Sequence, residues 1–418
     1  MAVEGQRADA GDVSVADRRN AKLYLAGLGA SVIGSSAMSL VAGIWVKSLT
    51  GSSAQAGLVS ACIYAPSLAG PIAGMVADRV RRRRWLVVLN VASAAAVLPL
   101  LAVRSRATDW IVFCVMAWYG FDLVLQSPAE NALFVEMPPL ELRRRVNGWV
   151  LGLQETGRLV APLLGAGLFA VAGGGSVAVL DSATFLVAAV AISRLGVSDD
   201  RSARTDGNLL VGLLAGLQFG RRTEALRRVV GVTAAVMALS GLLVASQYSL
   251  VQAIGEPPSF LGVPAAALGA GSIVASLVSP RLISRIGEAW LAVLGAADFA
   301  AGNLLRATGW LPAAVVGSVI LGFALPWMLL AAVNLAQPTT PVRLQGRVSA
   351  AVTLALFGPQ APLQAPGSLA IASVTYRDLY IGTAIAAAAC AAWFGSFTVR
   401  RRRSGSDAGP GARPPMAI

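Results

Sequence analysis

The sequence predicts an all-α membrane protein, with twelve transmembrane helices in two pseudo-symmetric six-helix bundles. Three observations predict it. Hydrophobic residues make up 56% of the 418 and charged residues only 13%, against roughly 25% charged in a soluble domain. Twelve apolar stretches each approach the ~20 residues that cross a bilayer core of ~30 Å. Features of the first half also return in the second at one constant offset. The 44 glycines suit close helix packing in lipid.

The elements follow in order. Residues 1–21 form a polar tail of mixed charge, without the basic-then-apolar order of a cleaved signal peptide. Spans are expected near 22–46, 54–77, 85–104, 109–134, 146–172 and 176–195, which makes 22–195 the N-terminal bundle. Residues 196–228 form a cytoplasmic linker. Its first part is polar, and Leu209 to Arg228 reads as an amphipathic surface helix with Arg221, Arg222, Arg227 and Arg228 toward acidic headgroups. Spans near 229–253, 259–279, 288–306, 310–334, 348–373 and 378–398 make up the C-terminal bundle, 229–398. Residues 399–418 are a basic tail.

Orientation follows from the lysines and arginines. With both termini in the cytoplasm, 28 of the 34 fall on the cytoplasmic side. Lys47, Arg104, Arg106, Arg306 and Arg377 fall on the opposite side, and Arg158 falls within a span. The split supports an even number of spans, cytoplasmic termini and a multi-pass protein of the cytoplasmic (inner) membrane. It also accounts for the net charge of +13 without a nucleic-acid partner, since no basic stripe carries interleaved aromatics.

The internal repeat supports the division into six and six. At an offset of 202 residues Arg79 meets Arg281, Arg83 meets Arg285, Pro139 meets Pro341, Arg145 meets Arg347 and Gly165 meets Gly367. One offset serving separate segments implies two similar bundles facing each other across a cavity.

Several chemistries are excluded. There is no histidine, which removes His-based metal sites, Ser-His-Asp triads and imidazole proton relays. Cys62, Cys114 and Cys390 are isolated within apolar spans and read as small core residues. No G-x-x-x-x-G-K-[ST] loop is present, so ATP is not a direct energy source. No nucleophile constellation, metal cluster or cofactor fingerprint appears, and the expectation is a protein that is not an enzyme.

Three segments carry mechanism. Between spans 2 and 3 the chain reads Gly74-Met-Val-Ala-Asp78-Arg79-Val-Arg81-Arg82-Arg83-Arg84. A glycine there permits close helix approach, and an acid at a helix end can pair with an arginine or a neighbouring terminus. Such a contact can hold one face shut and break when two bundles rock. This segment resembles the loop signature of the major facilitator superfamily, with matches at Gly74, Asp78, Arg79, Arg82 and Arg83 and with Arg81 in place of a glycine. In span 5, Gly157-Arg158-Leu-Val-Ala161-Pro162-Leu-Leu-Gly165-Ala166 resembles the antiporter signature of that superfamily's drug exporters. Gly157, Arg158, Pro162 and Gly165 match, and Ala161 and Ala166 replace glycines. Proline bends a helix and small residues let another helix approach the bend. Ser127-Pro128-Ala129-Glu130 through Arg145-Val146-Asn147-Gly148, with Asp181-Ser-Ala-Thr-Phe185, is similar to the macrolide- and siderophore-exporter branch. Many relatives there carry Arg where this chain has Glu130, and an acid in span 1 where it reads Gly34-Ser35-Ser36. The resemblance implies secondary active efflux of a small drug-like molecule or secondary metabolite, by proton antiport with alternating access.

Charged residues inside the membrane cost roughly 2.5–3.5 kcal/mol on insertion scales and mark functional positions. Without histidine, the proton carrier must be Asp or Glu, and the candidates are Asp122, Glu130, Glu155 and Asp298. Asp122, Gln126 and Glu130 are spaced four apart along span 4, and Glu155 and Arg158 share a helix face. Asp181 lies either in span 6 or at the outer membrane surface. Candidate substrate contacts are the aromatics and amides Trp118, Tyr119, Gln247, Tyr248, Gln252, Trp327, Gln360 and Gln364, a mixture that suits bulky amphipathic ligands. The expected partners are a small-molecule substrate, protons and the lipid bilayer, and the protein is expected to be a monomer. An uptake permease for a small solute and a non-transporting membrane sensor are the alternatives.

Overall fold

The computed structural model describes residues 14–66, 80–136, 140–196, 218–340 and 345–406. All regular structure among them is helical. In chain order the α-helices are α1 (Val15–Thr50), α2 (Ser53–Tyr64), α3 (Arg82–Val97), α4 (Trp110–Glu136), α5 (Leu140–Ser193), α6 (Glu224–Leu242), α7 (Val244–Ile254), α8 (Gly262–Ile286), α9 (Glu288–Ala307), α10 (Leu311–Thr339), α11 (Gln345–Phe357), α12 (Gln360–Ala370) and α13 (Tyr376–Ser406). Eight helices among the described residues are long and apolar enough to cross a membrane. Large apolar side chains face outward, including Leu277 at 68% exposure and Ile385 at 63%. So much exposed hydrocarbon is a liability in water and the natural state in lipid.

Local chemistry explains the helix ends. Ser14 caps α1 in a capping box with Asp17: the Asp17 amide donates to Ser14 Oγ at 3.1 Å, and the Ser14 amide donates back to Asp17 Oδ2 at 3.1 Å. Helix α3 tightens into a 3-10 turn over Leu98–Ala102, with Pro99 at its start, since proline lacks the amide that an α-turn requires. Helix α5 has 54 residues and would run about 80 Å if straight, far more than one crossing. Gly173 breaks it with φ 74 and ψ 177, a conformation open to glycine and costly for other residues. The break falls between the two expected spans 146–172 and 176–195.

Elsewhere the expected spans are interrupted. The stretch 229–253 divides at Leu243 into α6 and α7. The stretch 348–373 divides between Phe357 and Gln360, where Gly358-Pro359 removes a backbone donor. Helix α6 begins at Glu224, so Arg227 and Arg228 belong to its first turns and not to a separate surface helix. Arg228 pairs with Glu224 and lies 4.3 Å over the Phe397 ring.

The chain divides into two compact units, one of Met1–Gly207 with Glu256–Ala266, the other of Asn208–Gly255 with Ala267–Ile418. In the first, α1 packs along α5, α3 against both α4 and α5, and α2 between α1 and α4. Its core holds Met38, Trp45, Val97, Met116 and Phe185. In the second, α9 packs on α10 and α13, and α6 on α11 and α12. Its core holds Leu226, Leu291, Phe299, Met328 and Tyr380.

Candidate functional site

Helix α4 brings its four-residue spacing to bear on α3. Asp122 and Gln126 are both buried. Gln126 Nε2 donates to Asp122 Oδ2 at 2.5 Å, and Asn90 Nδ2 on α3 donates to Gln126 Oε1 at 3.2 Å and to the Leu86 carbonyl at 2.8 Å. One turn toward the start of α4, Trp118 Nε1 donates to Ser93 Oγ at 2.9 Å, and the Ser93 hydroxyl neighbours the Asp122 carboxyl. This chain of polar groups leaves Asp122 Oδ1 and Asn90 Oδ1 with no hydrogen-bond partner. Buried polar atoms are normally paired, so an orphaned carboxylate oxygen is a point where a proton or a ligand donor can be taken up. Glu130, two turns beyond Asp122, is half-buried and lies within electrostatic range of Asp122 and of Tyr24 on α1.

A second buried carboxyl belongs to the part of α5 beyond Gly173. Asp181 has no exposed surface and lies in the interior of the protein. Its Oδ1 lies 3.4 Å from Thr184 Oγ1, while Oδ2 has no partner. The carboxyl and Thr184 occupy the space above Gly34 on α1. Ser182 beside it donates to the Ala94 carbonyl at 2.9 Å, tying α5 to α3.

Helix α1 also packs on the first part of α5 through small residues. A Cβ on Gly157 would stand 2.4 Å from Val32 Cγ1, and one on Gly165 would stand 3.0 Å from the Ala37 α-carbon. Pro162 and Ala166 face the start of α8: a Cβ on Gly262 would stand 2.9 Å from the Pro162 carbonyl and 2.7 Å from the Ala166 side chain. Helix α5 keeps helical φ/ψ through Pro162, and its departure is at Gly173. A close helix approach also occurs at Pro162. Glu155 is half-buried, and the Arg158 side chain lies outside the described residues.

Of the loop segment, Gly74, Asp78 and Arg79 lie outside the described residues. Arg82 is half-buried, and the Arg83 guanidinium donates to the Ser193 carbonyl at the end of α5, where a cation favours the negative helix end.

In the second unit Asp298 is half-buried on α9. Trp327 on α10 donates to the Ala275 carbonyl at 3.3 Å and packs edge-on to Phe323 at 5.3 Å. Tyr248 and Gln364 are buried, Gln247 and Gln360 are half-buried, and Gln252 is exposed. The Gln364 Oε1 has no partner. Tyr119, in the first unit, packs edge-on to Phe185 in the core. The structure thus brings Asp122, Gln126, Glu130 and Trp118 to one helix pair and leaves Asp298 in the other unit.

Two cations from the side opposite the cytoplasmic count are buried within the protein. Lys47 is 6% exposed and donates to the Gly51 carbonyl at 2.7 Å and to Ser53 Oγ at 2.9 Å, joining α1 to α2. Arg306 is 5% exposed and donates to Ser318 Oγ through Nε at 3.2 Å and Nη2 at 2.8 Å. Asn90, Ser93 and Ser318 belong to none of the motifs read from the sequence. Asn90 could have been singled out, as a lone amide in the apolar run Trp85-Leu-Val-Val-Leu-Asn90-Val-Ala.

Known proteins bear on this arrangement. The family model described as Major Facilitator Superfamily matches residues 23–209. The chain is similar in structure to a bacterial homologue of the iron transporter ferroportin in an inward-facing state, at 16% identity and a TM-score of 0.67, covering 92% of this chain and 100% of that one. It is similar to a bacterial homologue of the human lysosomal transporter Spinster, at 14% identity and a TM-score of 0.67, covering 92% and 97%. A D-xylose–proton symporter matches at 13% identity and a TM-score of 0.67, covering 90% and 96%. The chain has the major facilitator fold. No curated protein matches it in sequence.

Within this major facilitator fold, the three cysteines are free thiols, and no group of three His, Cys, Asp or Glu side chains that could hold a metal ion occurs among the described residues. The polar chemistry of the first unit resides in its carboxyls and amides.

Proposed function

We propose that this protein is a proton-coupled secondary exporter of a small drug-like molecule or secondary metabolite, working by alternating access between two six-helix bundles. The observation that carries the reading is the buried Asp122–Gln126–Asn90 chain on α3 and α4, with its orphaned carboxylate oxygen. A carboxyl out of water is costly when ionised and cheap when protonated, so opening and closing of its surroundings can load and unload a proton. Asp122 and Glu130 are the leading carriers, and Asp181 joins them on the strength of its burial. Export over uptake is supported by the Gly157–Gly165 segment, which resembles the antiporter signature. The resemblance to the macrolide- and siderophore-exporter branch suggests bulky, amphipathic cargo. The 28 cytoplasmic lysines and arginines support an inner-membrane protein with both termini in the cytoplasm. Uptake is the second reading, favoured by one structural neighbour that carries its sugar together with a proton.

The test uses inside-out vesicles carrying the protein, an imposed proton gradient and a panel of labelled amphipathic compounds. An exporter accumulates its cargo in these vesicles when their interior is acidic. Asp122→Asn or Glu130→Gln should abolish accumulation while leaving downhill movement intact. Accumulation only in right-side-out vesicles with acid outside would replace the export reading with uptake. Gradient-driven accumulation that survives both variants would remove α4 as the carrier.

A further inference from the structure

The starts of α1 and α5 enclose a groove of about 450 Å³ in the first unit. Its walls are two helical stripes. Arg18, Lys22 and Leu25 descend one face of α1, and Leu142, Arg145 and Trp149 descend one face of α5, each at the three- and four-residue spacing of a helix face. Ala21 and Val146, both buried, close the floor. The groove is therefore apolar at its base and cationic at its rim.

Its electrostatics are unbalanced. Arg18, Lys22 and Arg145 are all exposed at the rim, and among the described residues no carboxylate lines it. The nearby Asp17 carboxylate is already engaged by the amide and hydroxyl of Ser14, at 3.1 and 2.8 Å. The cations are also placed against their own helices. Arg18 sits in the first turn of α1, where the backbone amides present partial positive charge and a cation is unfavourable, and Lys22 and Arg145 lie one turn further along α1 and α5. Three like charges and two positive helix ends around one groove repel one another until an anion enters. The same amide ends and basic side chains are what bind phosphate elsewhere.

The occupant must also match the apolar floor and Trp149, which is 65% exposed at the same rim. Tryptophan in that position is typical of the membrane–water interface, where its ring lies at headgroup level. A free inorganic anion would leave the apolar half of the groove unused. A phospholipid would place its phosphate among the three cations and its glycerol and upper acyl carbons along Leu25, Leu142 and Val146. Basic pockets between transmembrane helices hold anionic lipid headgroups by this combination.

We propose that the groove between the starts of α1 and α5 is a binding site for the phosphate headgroup of an anionic phospholipid.

The full-length protein, purified in mild detergent, is tested for thermal stabilisation and for lipid retention in native mass spectrometry. The probes are phosphatidylglycerol, phosphatidylcholine and inorganic phosphate at equal phosphate concentration. Phosphatidylglycerol should raise the melting temperature and remain bound, and the other two should do neither. Lys22→Gln combined with Arg145→Gln should lower phosphatidylglycerol retention about tenfold. Arg104→Gln combined with Arg106→Gln, which removes two exposed cations outside the groove, should leave retention at the parental level. Single Lys22→Gln serves if the double variant does not fold, and it should lower retention by a smaller factor in the same direction. Equal stabilisation by phosphatidylcholine, equal stabilisation by inorganic phosphate, or unchanged retention in the groove variants would each overturn the proposal.

Discussion

Asp181 and Gly34 share one space. A Cβ placed on Gly34 would stand 2.7 Å from Asp181 Oδ1 and 2.0 Å from Thr184 Oγ1, so the hydrogen at Gly34 is what lets a carboxyl and a hydroxyl of α5 lie against α1. Both distances are well inside contact.

Gly34→Ala should therefore destabilise the fold by about 1–3 kcal/mol, the usual cost of an added methyl in a packed interior. Thermal unfolding in detergent measures it. Thr184→Ala removes the nearer atom, so the double variant should melt above Gly34→Ala alone. A single Gly34→Ala variant as stable as the parent would mean that Asp181 and Thr184 move aside freely.

Asp181→Asn tests the carboxyl without changing its shape. The amide keeps the volume and the contact with Thr184, so membrane abundance should stay near parental and stability should change by less than about 1 kcal/mol. Under the proposed function, accumulation driven by a proton gradient should fall at least tenfold. Parental accumulation by a well-folded Asp181→Asn variant would show that this carboxyl only packs.

Arg306 and Ser318 form a buried pair suited to a double-mutant cycle. Ser318→Ala leaves the guanidinium without the hydroxyl it donates to and should cost about 1–3 kcal/mol. Arg306→Met with Ser318→Ala removes both polar partners and should recover part of that loss, since an apolar pair of similar shape can be nearly neutral. Melting temperatures of the two single variants and the double variant decide it. Additive losses would place the stabilising partner of Arg306 elsewhere, with the Tyr380 ring, electrostatically coupled to it, the next to replace.

The sequence by itself determined the membrane class and the helical architecture. Hydropathy and chain length act along one dimension, and a stretch of about 20 apolar residues has few alternatives in lipid. It also marked α4 as a polar face, because Asp122, Gln126 and Glu130 repeat at helical spacing. Helix interruptions were harder to read. Gly358-Pro359 is a visible signal, but Leu243 carries none, and the break at Gly173 falls in a run of three glycines. Only the tertiary structure decided which polar residues face inward. Lys47 and Arg306 read in sequence only as charges at span ends, and Ser53 and Ser318 supply their partners from neighbouring helices. Asn90 joins Gln126 from 36 residues away, and Asp181 is buried because α1 offers a glycine 147 positions earlier. The physical reason is that burial depends on which face of a helix meets its neighbour, and that facing is set by contacts between segments distant in sequence.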